Sequence, residues 1–312
     1  MPNQDGDGDR RWPGGVDSLG ESERQELIHS MASTRPRIEI DEALRRGWLE
    51  MWYQPKIDLR RKCLAGAEAL ARIRHPTFGI LLPASFLPNI SEASIARLTE
   101  HAIIATLRNW SRFDDAGFNL HLAINVPVST LFKVPIPELV EEHRPKVDRW
   151  PGIILEVQED QIVRDIKAVH DMAAKLKESS ITLAIDDFGA GFSSFSSLRE
   201  LSFAELKLDR GFVKNCATDP TNAAICQTAI DLAHRFGSAA VAEGLESMAD
   251  LSALTVMGCD FGQGVLISPP MPPERFVDLL RSRMNKPAPA AVAPAPAPGI
   301  SNIGSDAVGK VA

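Results

Sequence analysis

The stretch Ile181-Thr182-Leu183-Ala184-Ile185-Asp186-Asp187-Phe188-Gly189-Ala190-Gly191-Phe192-Ser193-Ser194 decides the reading of this chain. Ile181 to Ile185 reads as a buried strand. Two adjacent carboxylates follow at once, then a loop with two glycines and two serines. Adjacent carboxylates repel, so one takes up a proton unless a cation sits between them. Oxygen ligands of this kind suit a divalent metal. A solvated strand end before an ordinary turn explains the stretch equally well on its own, so the rest of the chain must arbitrate.

Working outward, short apolar runs recur: Leu120–Val126, Ile153–Val157, Ala204–Asp209, Ala239–Gly244 and Asp260–Val265. Helical spacing lies between them, as in Ile166, Val169, Ala173 and Leu176, in Ile225, Ala229, Leu232 and Phe236, and across 96–113. Pro272 and Pro273 precede a last helix carrying Phe276, Leu280 and Met284 on one face. Near the start, a helix at Asp41–Trp48 precedes the run Met51–Leu59. The polar turn Arg60-Arg61-Lys62 then lets Leu64–Leu70 return as a hairpin partner. Strands alternating with helices imply a parallel sheet. About eight strands within roughly 250 residues fit an α/β fold of the (β/α)8, TIM-like barrel type, opening with an antiparallel pair. An open doubly wound sheet is the alternative, but no GxGxxG turn follows a first strand and no GxxxxGK[ST] loop occurs.

The chain has 312 residues, 44% of them hydrophobic, enough for a sizeable core. Residues 1–36, rich in Gly, Asp, Arg and Pro, read as a disordered tail in which 21–31 has some helical character. Residues 286–312, with repeated Pro-Ala, read as a second tail in extended polyproline II form. The folded domain is therefore expected at 37–285. The net charge of -7 and the lack of a basic stripe argue against long nucleic acid as a partner. Cys63, Cys216, Cys226 and Cys259 are scattered and suit reduced thiols. No apolar run approaches the length of a membrane span and no signal peptide is visible, so a cytoplasmic protein is expected.

The polar residues within the expected strands fall near their C-terminal ends: Glu68, Asn125, Glu156, Asp186, Asp187, Lys207, Asp209, Glu243 and Gln263. Most have an ordinary explanation alone: a strand-end acid, a turn amide, a same-face ion pair, a cap of the next helix. Glu156, between Leu155 and Val157, is harder to dismiss, because a charge inside an apolar strand needs a partner. Strand after strand ending in this way has no such explanation. In a barrel these ends converge on one mouth. No two histidines stand at zinc spacing, and a set of carboxylates, one amide and one amine favours Mg²⁺ or Mn²⁺. Physical chemistry thus points to a metal-dependent enzyme acting on an anionic, phosphate-bearing substrate.

At Glu68-Ala69-Leu70-Ala71-Arg72 the chain resembles the EAL domains, bacterial phosphodiesterases that linearise cyclic di-GMP. The resemblance runs from Trp52 to Pro270. It includes Gln54-Pro55-Lys56-Ile57-Asp58-Leu59, His75-Pro76, Ile124-Asn125-Val126, Leu155-Glu156-Val157-Gln158-Glu159, Asp186-Asp187-Phe188-Gly189, Lys207-Leu208-Asp209, Ala242-Glu243-Gly244-Leu245-Glu246 and Gly262-Gln263-Gly264. It implies a modified barrel whose first strand is antiparallel, two Mg²⁺ or Mn²⁺ ions per site, inhibition by Ca²⁺, the product pGpG and a homodimer under some upstream regulatory protein. By resemblance, Glu68, Asn125, Glu156 and Asp186 hold one metal, and Asp186 bridges to a second near Asp187 and Glu243. Lys207 handles the attacking water, with Glu68, Glu243 and Gln263 in the same catalytic group. Gln54, Leu70, Arg72, Asp209 and Glu246 contact substrate, and Glu159 holds the loop that follows Asp187.

The chain departs from the family pattern at Ala190, where threonine is usual, and at Phe192, Gln158 and Ile73. The segment Phe86–Ser91 lacks the usual Ala-Glu pair. None of these removes an expected ligand; they bear on the loop, on dimer coupling and on rate. Two other readings stand beside the enzyme: a cyclic di-GMP receptor without turnover, which the complete ligand set disfavours, and an unrelated metal-dependent barrel enzyme.

Overall fold

The structure is a computed structural model, and it describes residues 38–164, 166–189 and 201–284. Both expected tails lie outside the described residues, as do Ala190 and Phe192 of the loop. The chain begins with α1 (Ile40–Arg46), which ends on Gly47 in the left-handed conformation, its N–H returning to Ala43 and Leu44. Strands β1 (Leu49–Asp58) and β2 (Cys63–His75) then form a long antiparallel hairpin, as the sequence predicts. Its turn is built by Asp58, whose Oδ1 accepts from the N–H groups of Arg60 and Arg61 at 2.9 and 2.7 Å. A short β3 (Gly79–Leu81), which the sequence reading does not anticipate, adds to the outer edge of β2.

The 24-residue α2 (Glu92–Asp115) follows, capped by Ser91, whose hydroxyl accepts from Ser94 N at 3.1 Å. Next come β4 (His121–Asn125), the short helices α3 (Val128–Leu131) and α4 (Ile136–His143), and β5 (Ile153–Gln158). Helices α5 (Glu159–Arg164) and α6 (Ile166–Glu178) lead to β6 (Ile181–Phe188). The second half contains β7 (Glu205–Leu208), α7 (Arg210–Val213), α8 (Pro220–Arg235) and β8 (Ala239–Ala242). It ends with α9 (Met248–Met257), β9 (Phe261–Gly262) and α10 (Pro273–Met284).

The sheet closes on itself: β1 pairs with β9 on one side and with β2 on the other, both antiparallel. From β2 through β4, β5, β6, β7, β8 and β9 every pairing in the ring is parallel. The fold is thus an α/β TIM-like barrel whose first strand is reversed. The parallel strands are covered by helices on their outer face, so β5 and β7 are buried almost throughout, as sheets of this kind require.

Besides β3, two outcomes differ from the sequence reading. The strand expected at 181–185 runs on to Phe188 and takes both aspartates with it. Conversely, the strand expected over 260–265 shrinks to Phe261–Gly262, because beyond it the chain turns inward against Leu245. Leu245 N donates to Gln263 O at 3.0 Å, and Leu266 N donates to Leu245 O at 3.0 Å.

Helices α2 and α10 seal the outer face of β1. Tyr53 is fully buried, with Phe113 and Phe276 packed on it at ring-centroid distances of 4.9 and 5.9 Å. Burial pushes the Tyr53 hydroxyl up to about 12, and that oxygen accepts from Asn109 at 3.0 Å.

The inward turn after β9 depends on Gly264. A Cβ there would lie 2.7 Å from the Leu245 Cα and closer still to its backbone nitrogen and oxygen. No side chain can yield to relieve that clash. Gly264→Ala is expected to cost roughly 1–3 kcal/mol of stability. A urea denaturation midpoint equal to that of the unsubstituted protein would contradict this packing.

Candidate active site

The parallel register lines up the polar strand ends. Asn125 on β4 stands beside Glu156 on β5, and Gln158 stands beside Asp186 on β6. Across the hairpin, Glu68 on β2 faces Gln54 on β1. Lys207 on β7 is 1% exposed and occupies the middle of the cluster. Its Nζ lies 2.6 Å from Glu156 Oε2, 2.7 Å from Glu243 Oε1, 3.2 Å from Asp186 Oδ1 and 3.8 Å from Glu68 Oε2. Glu68 also accepts from Asn125 Nδ2 at 2.5 Å and from Gln263 Nε2. The Gln263 amide donates as well to Gln54 Oε1 at 3.2 Å. Residues from β1, β2, β4, β5, β6, β7 and the segments after β8 and β9 therefore meet in one place.

One ammonium does not neutralise this many acids. Burial opposes ionisation of Glu156, the charges of Glu68, Asp186 and Glu243 add to it, and Lys207 does not compensate, so the carboxyl is held well above the usual range. Burial also pushes Glu243 up to about 8, with Lys207 opposing and Asp186 and Glu68 adding to the shift. Asp187 is raised by burial and by the charges of Asp186 and Asp209. For Glu68 burial acts the same way, but the Lys207 charge and the hydrogen bonds from Gln263 and Asn125 win, so its carboxyl sits low. Burial works against the Lys207 charge too, yet the carboxylates hold its ammonium well above the ordinary lysine value.

The donor set fits a hard divalent cation. One carboxylate oxygen from each of Asp186, Asp187 and Glu243 falls within 4.8 Å of the others. Glu156 Oε2 and Asp186 Oδ1 are buried, and neither accepts a properly directed hydrogen bond despite the nearby ammonium. Such lone pairs suit metal coordination by oxygen. Asp187 adopts φ +55°, a left-handed conformation rare outside glycine, and the β6–β7 register shifts at this point. Backbone strain of this kind gathers at working sites.

Two of the residues expected by resemblance stand outside the ring of groups that Lys207 touches, although the charge of Asp209 still reaches Asp187. Asp209 caps α7 with one carboxylate oxygen, its Oδ1 accepting from Gly211 N at 2.7 Å. Glu246 is exposed and pairs with Lys214 at 3.5 Å. Leu70 and Arg72 follow Glu68 towards the mouth on the same face of β2. Glu159 is 3% exposed, and its Oε2 accepts from Gly189 N at 3.1 Å, tying the start of α5 to the end of β6. Capping does not account for Glu243, since Ser247 caps α9 instead.

The departure at Gln158 has a visible consequence. Its amide reaches Asp187 Oδ2 at 3.4 Å and is itself steered by Gln161 at 2.9 Å.

Sequence reasoning missed the ion pair of Lys56 with Glu205, buried towards the opposite end of the barrel. Glu205 on β7 starts the strand that Lys207 continues, and Lys56 also lies over the Phe261 ring at 5.5 Å. The available signal is a charge in each of two strands at a position set among apolar neighbours, Lys56 beside Pro55 and Ile57 and Glu205 beside Ala204 and Leu206.

Lys207→Met would strip the cluster of its only close cation among the described residues. Breaking a buried ion pair costs about 3–5 kcal/mol, so the variant is expected to melt well below the unsubstituted protein in chelator-treated buffer. Added Mn²⁺ should raise its melting temperature by more than it raises that of the parent. Equal melting temperatures without metal would mean that the lysine does not hold the acids together.

The EAL domain family matches residues 37–270. The cyclic di-GMP phosphodiesterase PA2567 of Pseudomonas aeruginosa is 35% identical over 231 residues, 73% of this chain and 39% of that protein. The cyclic di-GMP phosphodiesterase RocR of the same organism is 32% identical, over 77% of this chain and 62% of its own length. The chain thus spans less than two thirds of either relative. Among solved structures, the PaMucR phosphodiesterase in its c-di-GMP complex superposes with a TM-score of 0.69 at 31% identity, covering 80% of this chain and 99% of that one. With the reversed first strand and the converging strand ends already established, the chain belongs to the EAL domain family.

Proposed function

We propose that this chain hydrolyses cyclic di-GMP to linear pGpG. The observation that carries the reading is the buried cluster in which Glu68, Asn125, Glu156, Asp186 and Glu243 gather around Lys207, with Asp187 beside Asp186 and Glu243. The printed names of its relatives support the same substrate. Glu68, Asn125, Glu156 and Asp186 would hold one divalent cation. Asp186, Asp187 and Glu243 would hold a second, and Mg²⁺ or Mn²⁺ suits such oxygens. Bound there, the pair supplies Lewis acidity at the phosphoryl oxygens and a water acidic enough to attack.

The remaining residues have separable tasks. Lys207, held as an ammonium, orients the water by donating to it, Gln263 fixes the same network through Glu68, and the proton the water loses ends on the departing O3′. Attack opens one phosphodiester at its P–O3′ bond and leaves the 5′-phosphate of pGpG. Arg72 offers the substrate phosphate a planar guanidinium, and Gln54 and Leu70 line the way in. Asp209 and Glu246 serve substrate at most from the rim. Glu159 steadies the segment after Asp187. We place the protein in the cytoplasm as a homodimer, acting on second-messenger levels that govern motility and biofilm formation. Among the described residues no helix is long and apolar enough to cross a membrane.

Asp186→Asn removes the charge shared between the two metal positions and should lower turnover by about a hundredfold or more. Chromatography of cyclic di-GMP and pGpG after incubation with Mn²⁺ reads this directly. EDTA should abolish product, and Ca²⁺, with its longer and looser coordination, should inhibit. Near-parental turnover by the variant, or activity in EDTA, would refute the scheme. Tight binding of intact cyclic di-GMP without product would make the protein a receptor.

A further inference from the structure

Glu50 lies directly across the β1–β2 hairpin from Arg72, with Trp52 opposite Leu70 and Gln54 opposite Glu68. Side chains alternate faces along a strand, so these six share the face that leads from the carboxylate cluster to the barrel mouth. An acid opposite an arginine is its natural ion-pair partner. Here Glu50 is engaged elsewhere. Its Oε1 accepts from the Trp52 indole at 2.9 Å and lies 2.9 Å from Arg74 Nη2, and its Oε2 accepts from Arg74 Nε at 3.3 Å.

Arg72, 8% exposed, is therefore left without a carboxylate in ion-pair contact among the described residues. The charge of Glu68 acts on it only from a distance. Among the described residues its side chain donates from Nη1 to Ala71 O at 2.8 Å, and its buried Nε meets no acceptor. The Trp52 ring, partly buried and tethered by Glu50, lies 5.9 Å from the guanidinium carbon. An aromatic face attracts a guanidinium without neutralising it, whereas a carboxylate would cancel the charge.

We propose that Trp52 is a positioning residue that holds Arg72 ready for the substrate phosphate, while Arg74 and the indole keep Glu50 from quenching it. This role rests on the phosphodiesterase reading given above. A preorganised arginine binds the phosphate alike before and during reaction, so its loss weakens KM more than kcat. Trp52 acts through Arg72, and the two substitutions must be non-additive.

The test measures kcat, KM and melting temperature for the parent, Trp52→Leu, Trp52→Phe, Arg72→Ala and the Arg72→Ala/Trp52→Leu double variant, with cyclic di-GMP and Mn²⁺. Trp52→Leu is expected to raise KM about fivefold with kcat within about twofold of the parent, and Trp52→Phe, which keeps an aromatic face, to recover much of the loss. In the Arg72→Ala background the leucine should change KM no further. A parental KM for Trp52→Leu, whatever its melting temperature, would overturn the role. So would an equal rise in KM in both backgrounds, which would put the indole on the ligand itself. If the parent binds cyclic di-GMP without turnover, the hydrolytic reading fails and the same cycle, read as Kd, decides this role independently. If the parent neither hydrolyses nor binds it, both readings fall together.

Discussion

A single buried ammonium holds the centre of this molecule. Lys207 stands within ion-pair reach of Glu68, Glu156, Asp186 and Glu243, which come from three other strands and one strand-following segment. Charges so deeply buried are tolerated only when paired, and here the pairing is incomplete by design of the chain. Glu156 and Glu243 are both driven towards their protonated forms by burial and by one another's neighbours. An acid cluster with too little positive charge is suited to a cation, and the closed sheet supplies the rigidity that the repulsion demands.

The reversed first strand shapes what surrounds that centre. Because β1 runs against its neighbours, its N-terminal half lies at the mouth and its C-terminal half lies at the opposite end. Glu50, Trp52 and Gln54 therefore line the approach to the acids, while Lys56 pairs with Glu205 at the far end. Two buried ion systems thus share β7, one at each end, and Lys207 lies two residues from Glu205. The antiparallel pairing also places Gln54 beside Glu68 and within reach of Gln263, linking residues some two hundred positions apart.

Local backbone detail refines the chemistry. Asp186 and its neighbour Asp187 both remain in strand, but Asp187 takes a left-handed backbone that turns the pair to different surroundings. Glu159 then ties off the end of that strand at Gly189. Gln158, a departure from the family pattern, touches Asp187 through a hydrogen bond that a threonine's shorter side chain would not make in the same way.

Much of this was legible in the chain itself. Alternating short apolar runs and helical spacing specify a barrel, because burial on both faces of a parallel strand leaves a continuous apolar signature. The hairpin was readable from Arg60-Arg61-Lys62, and the acids were readable because charge inside apolar strands demands a partner. Other features had no local signal. The shortness of β9 follows from the contact of Gly264 with Leu245, and β3 exists only because β2 offers it an edge. That Asp209 caps a helix with one oxygen, that Glu243 is not a cap, and that Glu50 serves Trp52 and Arg74 instead of Arg72 depend on how the chain folds in three dimensions. Sequence by itself determined which groups must be compensated, since burial and charge are properties of residues and patterns. Only the tertiary structure decided which group compensates which, since that is a matter of register, strand direction and reach.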